Sequence, residues 1–359
     1  MSKYMFVTPT LSKGGAERVV SILSSSLANL GQDVCILKYH NEPNEYPVDE
    51  KVKIITFAKD AGEYLKKSPV SRVLFIRKTI KKEHPDFVIP FLYQVALAVD
   101  MATKFMRVNV FQTIRNNPAL DLAKKKDRQH RDKLVYKAKC TFVQNTAEKS
   151  YFDKKAHDKI YVISNPVSDE FFKVQHNPTK EEFIFCAAGR LHEQKNFELL
   201  IRSFVKAFDK SQKVKLFIYG EGRLKNHLQN IIDKTGYSSQ IILQGRVKNI
   251  ADAYAEADAF VLSSNYEGMP NALIEAMASG LPSISSNCPT GPSDLINDGQ
   301  NGLLVPIKNE NAMAEAMKKL FEDEKLREKF SSAGREKIKE VCSAEKIAKK
   351  MMAICEANK

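Results

Sequence analysis

Two series of short apolar runs, each run parted from the next by a helix-length stretch, constrain this 359-residue chain more than any other feature. A strand buried on both faces reads as a continuous run rich in Val, Ile and Phe, and parallel neighbours need a long crossover, usually a helix. The first series runs Tyr4–Pro9, Asp33–Tyr39, Val52–Phe57, Asp86–Leu92, Asn109–Ile114, Cys140–Gln144 and Ile160–Ile163. The second runs Phe183–Gly189, Val214–Gly220, Ile241–Gly245, Ala259–Ser263, Pro282–Ser286 and Gly302–Val305. Each opens with a strand, a Gly-containing turn and a helix. The expectation is an α/β protein of two doubly wound, Rossmann-like domains. The length suits two domains, and a hydrophobic content of 43% suffices for two cores. The polar segment Ser164–Asp169 divides them into residues 1–165 and 166–343, and Val174–Glu182 reads as a loop. Residues 344–359 carry helical apolar spacing at Ile347, Met351 and Ile354.

Charge and cysteine usage narrow the function classes. The formal net charge is +13, and residues 1–165 hold 29 Lys and Arg against 17 Asp and Glu, so the positive field belongs to the first half. Such a field suits nucleic acid, anionic lipid or a phosphorylated substrate. No nucleic-acid-binding module accompanies it, so nucleic acid is not expected. The six cysteines are scattered with no C-x-x-C pair, which fits reduced, buried thiols and no metal site. Tyr4–Pro9 reads as a buried strand, so no signal peptide is expected. No run approaches the roughly 20 apolar residues of a spanning helix.

The chemistry-bearing residues follow strand ends, where ligands bind in open α/β sheets. Glu267-Gly268-Met269-Pro270-Asn271-Ala272-Leu273-Ile274-Glu275 holds a carboxylate in a turn, a helix start at Pro270 and a second carboxylate further along. A helix N-terminus offers N–H groups and a positive dipole to an anion, while carboxylates accept from hydroxyls. Together they suit a ligand with phosphates between hydroxylated rings, as in a nucleotide-sugar. The alternative is a turn Glu and a helix-face Glu without function. Arg190 and Lys195 follow the strand ending at Gly189. They either neutralise a diphosphate or flank a helix start as a surface pair. Gly14-Gly15 follows the first strand, lets backbone approach a ligand or simply turns the chain, and is not a dinucleotide fingerprint.

The Glu-x7-Glu pair in its Glu-Gly-Met-Pro-Asn setting, Gly189-Arg190…Lys195-Asn196 and Gly14-Gly15-Ala16-Glu17-Arg18 together resemble family 4 of the retaining glycosyltransferases. The resemblance covers essentially the whole chain and is nearest to bacterial α-N-acetylgalactosaminyltransferases acting on lipid-linked glycans. It implies the GT-B fold, with the two domains facing a deep cleft. The first would bind acceptor, the second the nucleotide-sugar, and the final helix would return to the first. It implies a retaining, metal-independent enzyme with no cofactor. Its donor would be a UDP-linked hexose or N-acetylhexosamine, UDP-GalNAc or UDP-GlcNAc.

On this resemblance Arg190, Lys195 and Glu267 are catalytic. The first two would stabilise the leaving phosphate and Glu267 would meet the donor sugar. Glu275 would bind ribose, and N–H groups near Asn271, Ala272 and Leu273 would hold the distal phosphate, with Gly268 and Met269 in the same turn. Val247 would meet the base through its backbone, beside Arg246, which alternatively is a plain surface residue. Gly14 and Gly15 would face the phosphates and acceptor. Many relatives carry a His after the fifth strand, where this chain reads Thr113-Ile114-Arg115-Asn116, so Arg115 or Asn116 would take the sugar-facing position.

The implied acceptor is a saccharide on polyprenyl diphosphate, met in the cytoplasm at the inner face of the membrane. Two basic stretches bear on this. Lys124–Lys133 reads as a solvated helix face. Lys66–Lys82, with Val73, Leu74, Ile76 and Ile80 among its cations, reads as an amphipathic helix suited to anionic lipid. A GT-B epimerase and a non-catalytic glycan-binding scaffold are the competing readings.

Overall fold

The computed structural model describes residues 1–12, 14–177 and 181–359. Thirteen strands carry the described fold: β1 Lys3–Thr8, β2 Asp33–His40, β3 Lys53–Ala58, β4 Phe87–Pro90, β5 Asn109–Thr113, β6 Cys140–Val143, β7 Ile160–Val162, β8 Phe183–Ala188, β9 Val214–Tyr219, β10 Ile241–Gly245, β11 Ala259–Leu262, β12 Ser283–Ser286 and β13 Leu303–Val305. They form two sheets ordered β3-β2-β1-β4-β5-β6-β7 and β10-β9-β8-β11-β12-β13. Every pairing within them is parallel. The chain divides into two compact units, Met1–Pro166 with Ala344–Lys359, and Val167–Ser343.

In the first unit the period of two splits β1 between two cores. Tyr4 and Phe6 pack with Val19, Val20 and Leu23 of helix Gly15–Asn29 and with Ile347 and Met351 of helix Ala344–Ala357. Met5 and Val7 pack with Ile76 and Ile80 of helix Pro69–Glu83 and with Val95 and Val99 of helix Tyr93–Thr103. In the second unit β8 divides likewise: Phe185 and Ala187 join Leu200, Phe204 and Met317, while Ile184 and Cys186 join Leu273, Ile274 and Met277. Burial on both faces explains why these strands carry no polar alternation.

Three sequence expectations need correction or limits. The Lys66–Lys82 stretch forms the expected helix only from Pro69, as Pro69–Glu83, with Lys66 ending a separate helix, Ala61–Lys66. Ser68 caps helix Pro69–Glu83 by accepting from Ser71 N at 3.1 Å, and Pro69 occupies its first turn. Ile76 and Ile80 face the core and Val73 is half-buried, so of the four apolar residues named only Leu74 is exposed. In the Lys124–Lys133 run, Arg131 is not solvated. It is buried and paired with Asp121 and Asp132, each at 2.7 Å, because it ties a loop to helix Lys125–Lys137. Of the expected loop Val174–Glu182, residues 178–180 lie outside the described residues. Residues 174–177 are irregular, with Asn177 N donating to Ala255 O at 2.9 Å.

Candidate functional site

The chain runs outward from β8 to β9 and β10, then returns to the other side of β8 for β11, β12 and β13. The strand order therefore reverses between β8 and β11, and a ligand crevice is expected beyond their C-terminal ends. Gly189 and Arg190 follow β8, and Ser263–Glu267 follow β11.

Glycines let the chain pack closely at the ends of β8 and β9. A Cβ on Gly220, whose φ is +144°, would lie 1.9 Å from the carbonyl oxygen of Gly189. Gly189 itself is covered by the stem of Lys195, whose Cε would be 3.0 Å from an added Cβ. The loop after β8 is stitched to the one after β11. Ser263 Oγ donates to Lys195 O at 2.8 Å and Asn265 N to Gln194 O at 2.8 Å. Asn196, held in the left-handed region at φ 48°, donates through Nδ2 to Asn265 Oδ1 at 3.1 Å.

These ties bring Lys195 and Glu267 together. Lys195 Nζ lies 2.6 Å from Glu267 Oε1, and the buried Ser264 hydroxyl donates to the same oxygen at 2.5 Å. Oε2 has Gln194 Nε2 at the far limit of 3.5 Å. The Glu267 carbonyl accepts from the Thr290 hydroxyl. Next to Thr290, Gly291 at φ +94° would drive a Cβ to 2.5 Å from Gly268 O. A buried carboxylate needs a paired charge and further hydrogen bonds, and Lys195 and Ser264 supply them. Burial, and after it the Glu267 carboxylate, push the nearby Cys288 thiol up to about 12.

The other expected residues of this unit differ in exposure and in the element that carries them. Arg190 is exposed and, among the described residues, makes no ion pair. Gly268 and Met269 are buried in the turn, and Asn271 and Ala272, both half-buried, open helix Asn271–Ala278 with Pro270 as its N-cap. Leu273 and Glu275 are buried one turn further in. Arg246 is exposed after β10, whereas Val247 packs on the apolar cluster that also holds Met269 and Leu273.

Gly14, Gly15, Arg115 and Asn116 belong to the first unit. Gly14 is the N-cap of helix Gly15–Asn29 in ordinary extended conformation. A Cβ there would overlap the Glu17 carboxylate, so the glycine makes room for Glu17, while Gly15 is exposed. Arg115 Nη2 donates to Asn165 Oδ1 at 2.5 Å, and its guanidinium lies 5.0 Å over the Phe91 ring. Burial lowers its pKa to about 10 against the pull of Glu148. Asn116 Oδ1 accepts from Asn117 N at 2.9 Å in a turn.

Ser264, Thr290, Gln194 and Asn265 escaped sequence reasoning. The serine pair at a strand end, three residues before a carboxylate, was the signal for Ser264. Thr290 sits in a separate loop and gave none. Among the described residues no three His, Cys, Asp or Glu are grouped to hold a metal ion.

Residues 168–337 match the family described as glycosyl transferases group 1. The chain is 35% identical over 228 residues to an uncharacterized glycosyltransferase of Methanocaldococcus jannaschii; the match covers 55% of each, so it spans about half of that protein. It is 27% identical over 348 residues, 95% of this chain and 94% of the other, to a Campylobacter jejuni protein. That protein is named as the GalNAc-α-(1→4)-GalNAc-α-(1→3)-diNAcBac-PP-undecaprenol α-1,4-N-acetyl-D-galactosaminyltransferase. In fold it is similar to an S. aureus TarM mutant solved with Fondaparinux, α-GlcNAc-glycerol and UDP. The TM-score is 0.80 at 18% identity, covering 99% of this chain and 100% of that one.

Proposed function

We propose that the protein, whose residues 168–337 match the group 1 glycosyl transferases and whose two Rossmann-like units have the GT-B fold, moves a hexose or N-acetylhexosamine from a nucleotide-sugar to a lipid-linked saccharide in bacterial glycan or polysaccharide assembly. The observation that carries this reading is the Lys195–Glu267 pair at the β8/β11 reversal, with the start of helix Asn271–Ala278 following in the same turn. The donor is UDP-GalNAc or UDP-GlcNAc. Its diphosphate meets Arg190, Lys195 and the first N–H groups of that helix. Its ribose meets Glu275, its base the Arg246–Val247 loop, and its sugar Glu267.

In the reaction the bond from the anomeric carbon to the phosphate oxygen breaks, and a bond to the acceptor hydroxyl oxygen forms on the same face. The acceptor's proton passes to the departing phosphate oxygen. Configuration is retained, and Arg190 with Lys195 stabilises the charge that develops on the diphosphate without a metal. No cofactor takes part. The acceptor is a saccharide on polyprenyl diphosphate, met at the inner face of the cytoplasmic membrane, where the basic first unit faces anionic lipid.

The test is a panel of nucleotide-sugars with purified protein. UDP-GalNAc or UDP-GlcNAc should raise the melting temperature most and, with a lipid-linked acceptor, give an α-linked product in excess EDTA. Loss of transfer in EDTA, restored by Mg²⁺ or Mn²⁺, overturns the metal-independent mechanism. Epimer formation without acceptor favours the epimerase, and binding without turnover the scaffold.

A further inference from the structure

Among the described residues, ten of the eleven exposed large apolar side chains lie in the first unit, and Ile307 is the one outside it. The same unit holds 33 Lys and Arg against 19 Asp and Glu, a net +14, while the second holds a net −1. Exposed apolar groups and positive charge therefore share one half of the protein, and at one place they share one helix face.

Helix Pro69–Glu83 buries Ile76, Thr79, Ile80 and Glu83. At 100° per residue, Val70, Leu74, Lys78 and Lys81 fall together on the opposite side. Val70 is 67% exposed and Leu74 59%. The preceding helix Ala61–Lys66 adds Leu65, 79% exposed, with the exposed Lys66 beside it. Arg77 donates to the carbonyls of Ala102 and Lys104 at 2.8 and 2.9 Å, which ties the segment just before Phe105, 94% exposed, to this helix.

The underside is closely packed. Arg72 lies 5.0 Å over Tyr39 and 5.1 Å over Tyr64, the two rings stack at 5.8 Å, and Phe57 meets Phe75 at 5.0 Å. An apolar row held outward on a closely packed helix and rimmed by cations matches the layered chemistry of an anionic bilayer surface, apolar below and charged above.

We propose that Leu65, Val70, Leu74 and Phe105 enter the acyl boundary of an anionic membrane, with Lys66, Lys78 and Lys81 lying against its headgroups. The inference deepens the membrane contact of the proposed function by naming the face that makes it, and it rests on that reading only for the membrane's identity as the acceptor's.

The chain contains no tryptophan, so Leu74→Trp in the full-length protein introduces a single tryptophan that can be excited selectively beyond the tyrosine band. With phosphatidylglycerol–phosphatidylcholine vesicles at low salt its emission should shift blue and be quenched by brominated lipid, while Ile307→Trp stays unchanged. Leu65→Ser, Val70→Ser and Leu74→Ser combined should lower vesicle partition at least about tenfold. Lys78→Gln with Lys81→Gln should flatten its salt dependence. Stabilisation by UDP should survive in all variants.

An unshifted Leu74→Trp, equal shifts at both tryptophans, or unchanged partition of the triple variant overturns the proposal. A shift that follows protein concentration without vesicles overturns it in favour of a second copy covering the row. Vesicle binding without UDP stabilisation in the wild type would sink the donor reading and leave this one standing.

Discussion

Glu267 has two carboxylate oxygens in unequal surroundings. Oε1 already accepts from Lys195 and Ser264, while Oε2 has one donor at the limit of hydrogen-bond distance. In the proposed function the oxygen that would meet a sugar hydroxyl is therefore Oε2, held in place by the bonds on its twin. Lys195 is accordingly not the free cation that its position after Gly189 suggests, whereas Arg190 is exposed and makes no ion pair among the described residues. Both variants should lose turnover by roughly 10²–10³ if both stabilise the departing phosphate. Their stabilities should part. Arg190→Ala is a surface change and should stay within about 0.5 kcal/mol of wild type. Lys195→Ala strands a buried carboxylate and should cost about 3 kcal/mol. Combining Lys195→Ala with Glu267→Gln should recover most of that stability and none of the turnover. Urea melts beside turnover assays decide it, and equal stabilities for the two single variants would refute the structural half of the argument.

At the scale of elements, the ends of β8 and β9 depend on an absent side chain. Gly220→Ala puts a methyl 1.9 Å from the Gly189 carbonyl at a φ of +144°, which L residues rarely adopt. The loop bearing Arg190 and Lys195 must then move. A loss of at least about 2 kcal/mol is expected, with turnover falling further than nucleotide affinity. Wild-type turnover in a folded Gly220→Ala would show that the loop tolerates displacement.

The same elements show what a sequence displays. All thirteen strands were legible as apolar runs, unbroken where both faces are buried, as in β1, β4 and β11, and shorter or partly polar at the exposed edges β3, β7 and β10. Glu267, Lys195 and the helix start at Pro270 were legible as residue types after strand ends. The contact between Lys195 and Glu267 was not, since it spans 72 positions and depends on which strands become neighbours. Nor was the facing of helix Pro69–Glu83, where Leu74 and Ile76 are alike in composition and opposite in exposure. Arg131 looked solvated within a run of lysines because one of its two partners, Asp121, lies outside the run.

Taken whole, the protein is two parallel sheets whose units are not two successive stretches of chain. Helix Ala344–Ala357 places Ile347, Ala348, Met351 and Cys355 in the core of the first unit. Lys359 adds an ion pair to Asp86 at 2.8 Å. Full burial of an Ile or Met side chain contributes about 1.5–3 kcal/mol. Truncation before Ala344 should therefore cost the first unit more than about 4 kcal/mol while the second unit keeps its response to UDP. Calorimetry resolves the two, and an unshifted first-unit transition would mean that the helix is dispensable. The arrangement also fixes an order of events in synthesis. Residues 344–359 leave the ribosome only after all of 167–343 has been made. The first unit, although begun first, waits with an open apolar seam along Val19, Val20 and Leu23 until the whole of the second unit has been made, and the second unit can be complete before the first is closed.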